Sequence, residues 1–166
     1  ALGLPYPGGP ELEKLALEGD PMKYPFHSAL NSSAEEADFS FSGIKTAVVN
    51  LMHNAAQKGE TLSKADIAAS FQRAVCDTLT LKAVHAAKEH GFNTLALAGG
   101  VSANRALRSS LARACEEQGI RFCCPDFRYC TDNAAMIACA GHYALMAGEL
   151  SGLDLNAAPE LPLVQR

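Results

Sequence analysis

The chain of 166 residues contains no tryptophan, and aromatic residues make up only 7% of it. It has no apolar run near the roughly 20 residues that span a bilayer as a helix, which excludes an obvious helical membrane span. It has no H-E-x-x-H, no G-x-G-x-x-G and no Walker loop, so the short motifs of zinc proteases, Rossmann dinucleotide sites and P-loops are missing. Positive charge is also scarce. Lys and Arg total 14 against 18 Asp and Glu, for a formal charge of −4. A chain that grips nucleic acid by net charge alone is thereby excluded, while RNA contact through a local patch or through partners is not. The chain has no initiator Met and opens on the unstructured-looking ALGLPYPGGP, which reads as a piece of a longer protein.

What is present is an apolar chain, 48% hydrophobic, of a length suited to one domain with a real core. Six cysteines stand at 76, 115, 123, 124, 130 and 139 without paired C-x-x-C knuckles. Several fall in apolar periodic segments, where a reduced thiol acts as a small hydrophobe. The expectation is six reduced, mostly buried thiols in a cytoplasmic setting, with Cys123 and Cys124 on opposite faces of a strand.

Periodicity and punctuation give the elements. A short helix follows the Pro/Gly turn at 5–10, with Gly19 as its stop. Residues 21–38 read as irregular. Phe39 and Phe41 alternate with Ser40 and Ser42, as in a short strand or extended arm, and Ser42 is suited to cap the helix that ends at Gly59. The longest helix starts with Ser63 as cap and Asp66 completing a box-like start, and stops at Gly91. His85 and His90 lie near its end, five apart, so they read as a solvated helix terminus rather than a metal pair. A strand TLALA, a helix from about Ala103 to Gly119, a strand in IRFCCPD and a final helix from CTDNAAM follow, with 150–166 as a coil-like tail. Strand–helix–strand implies parallel pairing. Two strands are too few for an independent sheet, so others are expected from elsewhere.

Three segments carry candidate chemistry. In LAGGVSANRALR, Gly99-Gly100 permits a positive φ and close approach to the backbone. The helix start beyond it offers free N–H groups to a phosphate or other polar ligand, with Ser102, Asn104 and Arg105 adding polar groups. Alone, this pattern is more often simple punctuation with Ser102 as a cap. In CTDNAAM, Thr131 or Asp132 suits a helix cap, and a single carboxylate makes a poor metal site without partners. In YPGGPELEKLA, Gly8 and Gly9 again allow close approach, and the Glu13 carboxylate suits sugar hydroxyls. The plainer reading of Glu13 is an acid favourable to a helix start.

Taken together and in order, PYPGGPELEKLA, DFSFSGIKTAV, LAGGVSANRALR and CTDNAAMIACAG closely resemble the TsaD family of tRNA threonylcarbamoyltransferases, once described as glycoproteases. The resemblance implies the C-terminal portion of an actin/Hsp70-like (ASKHA) ATPase fold: α/β, helix-rich, with an incomplete parallel sheet. It implies a transferase that moves a threonylcarbamoyl group from threonylcarbamoyl-adenylate to the N6 amine of the tRNA adenosine beside the anticodon. TsaB-like and TsaE-like proteins are the implied partners, and one divalent metal, iron or zinc, the implied cofactor. By position, Gly9, Glu13 and Asn104 match substrate-binding residues, and Asp132 matches a metal ligand. The family's H-x-x-x-H pair and Ser-Gly-Gly-His loop belong to an N-terminal half and have no counterpart here, nor does a basic, Trp-containing stretch near the end. The chain alone is therefore expected to be inactive. The competing classes are a metalloprotease and a nucleotide-binding module without chemistry.

Overall fold

A computed structural model describes residues 1–26 and 38–158. It divides into two units, Ala1–Cys130 and Thr131–Arg166. In the first, helices α1 (Gly8–Ala16), α2 (Ser42–Lys58) and α3 (Lys64–Glu89) precede strand β1 (Thr94–Ala96). A 3-10 turn over Gly100–Ala103 leads into α4 (Arg105–Glu117), then β2 (Arg121–Cys123) and a 3-10 turn over Phe127–Tyr129. The second unit holds α5 (Ala134–Met146). No helix among the described residues is long and apolar enough to cross a membrane.

The expected β–α–β unit is present. β1 and β2 pair in parallel with Leu95 opposite Phe122 and Ala96 opposite Cys123. Two strands are all the described residues supply, in a helix-rich α/β arrangement. α3 is the spine of the first unit. Its N-terminal half buries Ile67, Ala68 and Ala69 against Ile44 and Val48 of α2 and Leu2 of the leading segment. Cys76, at its middle, packs with Leu107 and Leu111 of α4, and its C-terminal half packs Val84 and Ala87 with Cys115 and Ile120.

The caps explain where helices begin. Ser63 Oγ accepts the Asp66 N–H at 3.1 Å, and Gly91 leaves α3 with a φ of +69°. Asp66 has a second use, since its carboxylate accepts the Asp20 N–H at 2.8 Å. Beside it, the buried Ser70 hydroxyl donates to the Asp20 carbonyl and accepts the Tyr24 N–H, each at 3.1 Å. Gly19 is not the stop expected of it. α1 ends at Ala16 with Leu17 as its cap. A Cβ on Gly19 would lie 2.1 Å from the Ala65 carbonyl oxygen, so glycine is required there by close packing on α3.

Other expectations are corrected. Residues 38–41 form no strand, although Phe39 and Phe41 do face one way, with rings stacked 6.3 Å apart. Ser42 is the first residue of α2 rather than its cap, a place taken by Phe41 without a side-chain bond. The cysteines are all free, but only Cys76, Cys115 and Cys130 are buried. β2 ends at Cys123 and Cys124 lies beyond it, so the two are not paired on opposite faces of a strand as expected, and both are exposed. Most of the irregular stretch at 21–38 and the end of the tail fall outside the described residues.

Candidate functional site

Glu13 and Asn104 line one cleft. It has a volume of about 800 Å³ and is mostly apolar, with Leu2, Val48, Phe71 and Leu107 on its walls. The first turn of α1 brings Gly8 and Gly9 to it and the second brings Glu13, α2 brings Lys45, and the turn before α4 brings Gly100, Val101 and Asn104. Among the described residues, Glu13 and Lys45 are its charged lining. Gly9, Glu13 and Asn104, the three candidate ligand residues from two distant segments, thus share one cavity.

The glycines divide the two roles anticipated for them. Gly99 has φ +82° and ψ 178°, a conformation that a side chain resists, so it makes the turn. Gly8, Gly9 and Gly100 have no positive φ, and a Cβ on any of them would meet nothing among the described residues within 4 Å. Neither turn geometry nor packing within the chain demands glycine there. Their effect is to leave backbone open to whatever enters the cleft.

Glu13 is anchored. Its Oε1 accepts the backbone N–H of Arg105 at 2.6 Å. That N–H belongs to the first residue of α4, one of the unpaired donors at a helix start, and a carboxylate there also meets the positive end of the helix dipole. The expectation of a carboxylate at its own helix start is therefore refined: Glu13 serves the start of another helix.

Asn104, not Ser102, caps α4. Its Oδ1 accepts the Leu107 N–H at 2.8 Å, and its Nδ2 donates to Gln72 Oε1 at 2.9 Å. The Cys76 thiol lies 3.9 Å from the same Oδ1. The pKa of Cys76 is raised to about 11, first by burial and then by the negative charges of Asp77 and Glu13. At neutral pH it is a protonated thiol lining the floor, not a nucleophile. Ser102 is fully buried and does not line the cleft. Gln72 had no local sequence signal, because its role comes only from α3 lying against the turn.

Arg108 is a second residue that sequence reasoning missed. Its Nε donates to the Ser102 carbonyl, and one terminal nitrogen donates to the Pro125 carbonyl at 2.6 Å and to Cys130 Sγ at 3.1 Å. The other approaches Cys124 Sγ at 3.4 Å. One guanidinium therefore fastens the glycine turn to the segment after β2. Arg105 does not line the cleft. Its guanidinium lies 5.5 Å from the Phe127 ring centroid.

Asp132 belongs to the second unit and precedes α5. The cap expected of Thr131 or Asp132 is supplied by Asn133, whose Oδ1 accepts the Met136 N–H at 3.0 Å. Its Nδ2 donates to the Thr131 carbonyl at 2.9 Å. Among the described residues no group of three or more His, Cys, Asp or Glu is placed to hold a metal ion. His85 instead faces Glu89 at 3.6 Å on the surface of α3. The described residues thus offer a divalent metal one carboxylate and do not by themselves fit it.

An α/β protein with an apolar cleft, bare glycine backbone on its lining and polar groups at its edge has the features of a small-molecule site. Comparison with known proteins is specific. The family model for TsaD, tRNA N6-adenosine threonylcarbamoyltransferase, matches residues 1–139, and the chain belongs to this family. It is 50% identical over 162 residues to the tRNA N6-adenosine threonylcarbamoyltransferase of Moorella thermoacetica, covering 98% of this chain and 47% of that protein. It is 50% identical over 165 residues to the Geobacillus thermodenitrificans protein of the same name, and 47% identical to that of Caldicellulosiruptor saccharolyticus. The chain spans about half the length of these relatives, 48% in the last two cases.

Proposed function

We propose that the chain is the C-terminal half of a threonylcarbamoyltransferase acting on the N6 amine of the tRNA adenosine next to the anticodon, with an ASKHA-type fold completed by an N-terminal half. The supporting observation is the convergence of Gly9, Glu13 and Asn104 on one cleft whose glycines face open space. In this reading the cleft takes the adenylate part of threonylcarbamoyl-adenylate, or another adenine nucleotide. The adenine lies against Gly100 and the apolar walls, Glu13 accepts from ribose hydroxyls, and the Asn104 amide offers the hydrogen that Gln72 does not take. In the transfer, the amine nitrogen bonds to the carbamoyl carbonyl carbon and loses a proton to solvent. The bond from that carbon to the adenylate phosphate oxygen breaks, and AMP leaves. The chain's residues bind and orient the donor, and no catalytic residue is assigned among them.

Asp132 is proposed as one ligand of a divalent metal, iron or zinc, whose remaining ligands come from the other half; no step is routed through it. TsaB-like and TsaE-like proteins, tRNA and a cytoplasmic setting belong to the same proposal. A nucleotide-binding module without chemistry describes how the chain behaves by itself. A metalloprotease needs an activated metal-bound water and a positioned base, and the chain contains no H-E-x-x-H to favour that reading.

Titration of AMP into the chain, with Gly100→Val as the blocked control, tests the cleft. Binding by the native chain and its loss in the variant support the reading, and equal binding by both sinks it. Transfer to tRNA is then assayed with the chain alone and with the N-terminal half of the Moorella relative supplied. Turnover only in the second case is expected.

A further inference from the structure

Beside the cleft, outside its lining, lies a cluster of guanidinium groups and aromatic rings. Phe127 is 52% exposed and Tyr129 37% exposed, on the 3-10 turn after β2. The Arg108 guanidinium lies 4.1 Å from the Phe127 centroid and that of Arg105 5.5 Å from it. Arg128 lies 4.6 Å from the Tyr129 centroid. Among the described residues, the acid in contact is Asp126, 3.5 Å from Arg128, in an ion pair exposed on both sides. In a chain of net charge −4, three arginines around two exposed rings form a local exception to the overall charge.

We infer that this cluster is a landing surface for a single-stranded RNA loop, the part of the tRNA acceptor that must reach the cleft. The inference rests on the transferase reading above. Three observations favour RNA over a protein partner. Arg105 and Arg128 supply hydrogen-bond forks for phosphates, while Arg108 spends its donors within the chain, and the exposed parts of the two rings supply surface on which unpaired bases stack, a combination typical of sequence-tolerant single-strand binding. Arg108 lies against the Phe127 ring at 4.1 Å and orders it in advance, while the 52% exposure of that ring leaves surface for a base. The platform is also fixed to the cleft by a single side chain, since Arg108 holds both the Ser102 carbonyl of the glycine turn and the Pro125 carbonyl beside Phe127. A loop laid across Phe127 and Tyr129 is thereby registered against the ligand-binding turn.

The test uses the 166-residue chain and a fluorescein-labelled 17-nucleotide RNA stem-loop with a seven-nucleotide loop, followed by anisotropy at several salt concentrations. Phe127→Leu and Tyr129→Leu remove a ring and keep apolar bulk. Each is expected to weaken stem-loop binding by about fivefold or more and to leave binding of a blunt duplex of equal length unchanged. Arg128→Gln is expected to flatten the slope of log affinity against log salt by about 0.7, one phosphate contact to a single strand. Circular dichroism melts confirm that each variant is folded, and AMP titration of the same samples reports the cleft separately. A native chain that does not bind the stem-loop at 100-fold the AMP concentration that half-fills the cleft, or ring variants that bind it as tightly as the native chain, overturns the RNA surface. AMP binding retained in that case leaves the transferase reading standing. Loss of a protein partner with stem-loop binding intact also overturns it and assigns the cluster to protein.

Discussion

Glu13 and Arg105 stand 92 positions apart in the chain and are joined by a 2.6 Å hydrogen bond from a backbone N–H to a carboxylate. This bond fixes the distance between two walls of the cleft, because Gly9 rides on the same helix as Glu13 and Asn104 immediately precedes Arg105. Glu13→Ala leaves a helix-start N–H without its acceptor and is expected to cost about 1 kcal/mol, as well as lowering AMP affinity. Glu13→Gln keeps an acceptor and loses the charge, so it should retain more of the stability than of the affinity. Urea midpoints paired with AMP titrations separate the two effects. Equal losses of stability and no loss of affinity in both variants would show that Glu13 is only a brace.

The glycines give a cleaner separation. Gly9→Leu lies in the first turn of α1 and meets nothing in the chain, so stability should hold or rise by up to about 1 kcal/mol from better helix propensity. Affinity for an adenine nucleotide should fall at least tenfold, since the side chain enters the space left for it. Gly99→Ala, by contrast, forces a side chain onto φ +82° and is expected to cost about 1–3 kcal/mol. Thermal melts and AMP titration on both variants check that stability and binding move in opposite patterns.

Much of this architecture was readable in local patterns. Ser63, Asp66 and Gly91 bracket α3 because cap chemistry is a matter of neighbouring residues. TLALA and IRFCC announce a parallel pair through the helix between them. What was not readable depends on partners far along the chain. Ser102 and Asn104 suit a cap equally well by type. The 3-10 turn over Gly100–Ala103 decides for Asn104, and nothing local foretells that turn. Gly19 looks like a helix stop until Ala65 is known to press against it. Lys82 is 2% exposed, which no local pattern foretells; its Nζ donates to the Asp38 carbonyl at 2.6 Å and lies 5.8 Å from the Phe39 ring centroid. Gly9, Glu13 and Asn104 were legible as a set only through family resemblance, since each has a plainer local explanation.

The cysteines should divide by position. Cys123, Cys124 and Cys139 are exposed and should react with Ellman's reagent in the folded chain within minutes, whereas Cys76, Cys115 and Cys130 should wait for unfolding. Total thiol after denaturation without reductant should be six per chain. Mass spectrometry of partially labelled protein identifies the fast set, and label on Cys76 or Cys115 before the exposed three would contradict the packing.

Cys76 also predicts an alkaline limit. Its folded pKa of about 11 lies above the ordinary 9.0, so the folded state holds its proton more tightly than the unfolded state does. This contribution to stability is fully present below pH 9.0 and declines as pH rises toward 11, because the unfolded chain can ionise the thiol first. Urea titrations between pH 8 and 11.5 should show stability falling in that window, and Cys76→Ala should flatten the fall. A variant with the same slope would assign the loss to other groups.

Asp132 and Asn133 are adjacent and should respond in opposite ways. Asn133 carries the cap of α5, so Asn133→Ala should cost about 1 kcal/mol of local helix stability. Asp132 makes no cap, so Asp132→Asn should leave that stability within about 0.5 kcal/mol of the native value. In metal binding the order reverses. One carboxylate without neighbouring ligands holds a divalent ion weakly, so the chain purified after growth with iron and zinc should carry well under one equivalent by elemental analysis. With the complementary N-terminal half bound, metal content should rise toward one. Asp132→Asn should bring it down again by removing an anionic ligand, while Asn133→Ala should not. Hydrogen exchange over residues 134–146 reads the cap and elemental analysis reads the ligand. If Asp132→Asn in the assembled protein retains a full equivalent of metal, Asp132 is not a ligand and the metal assignment fails.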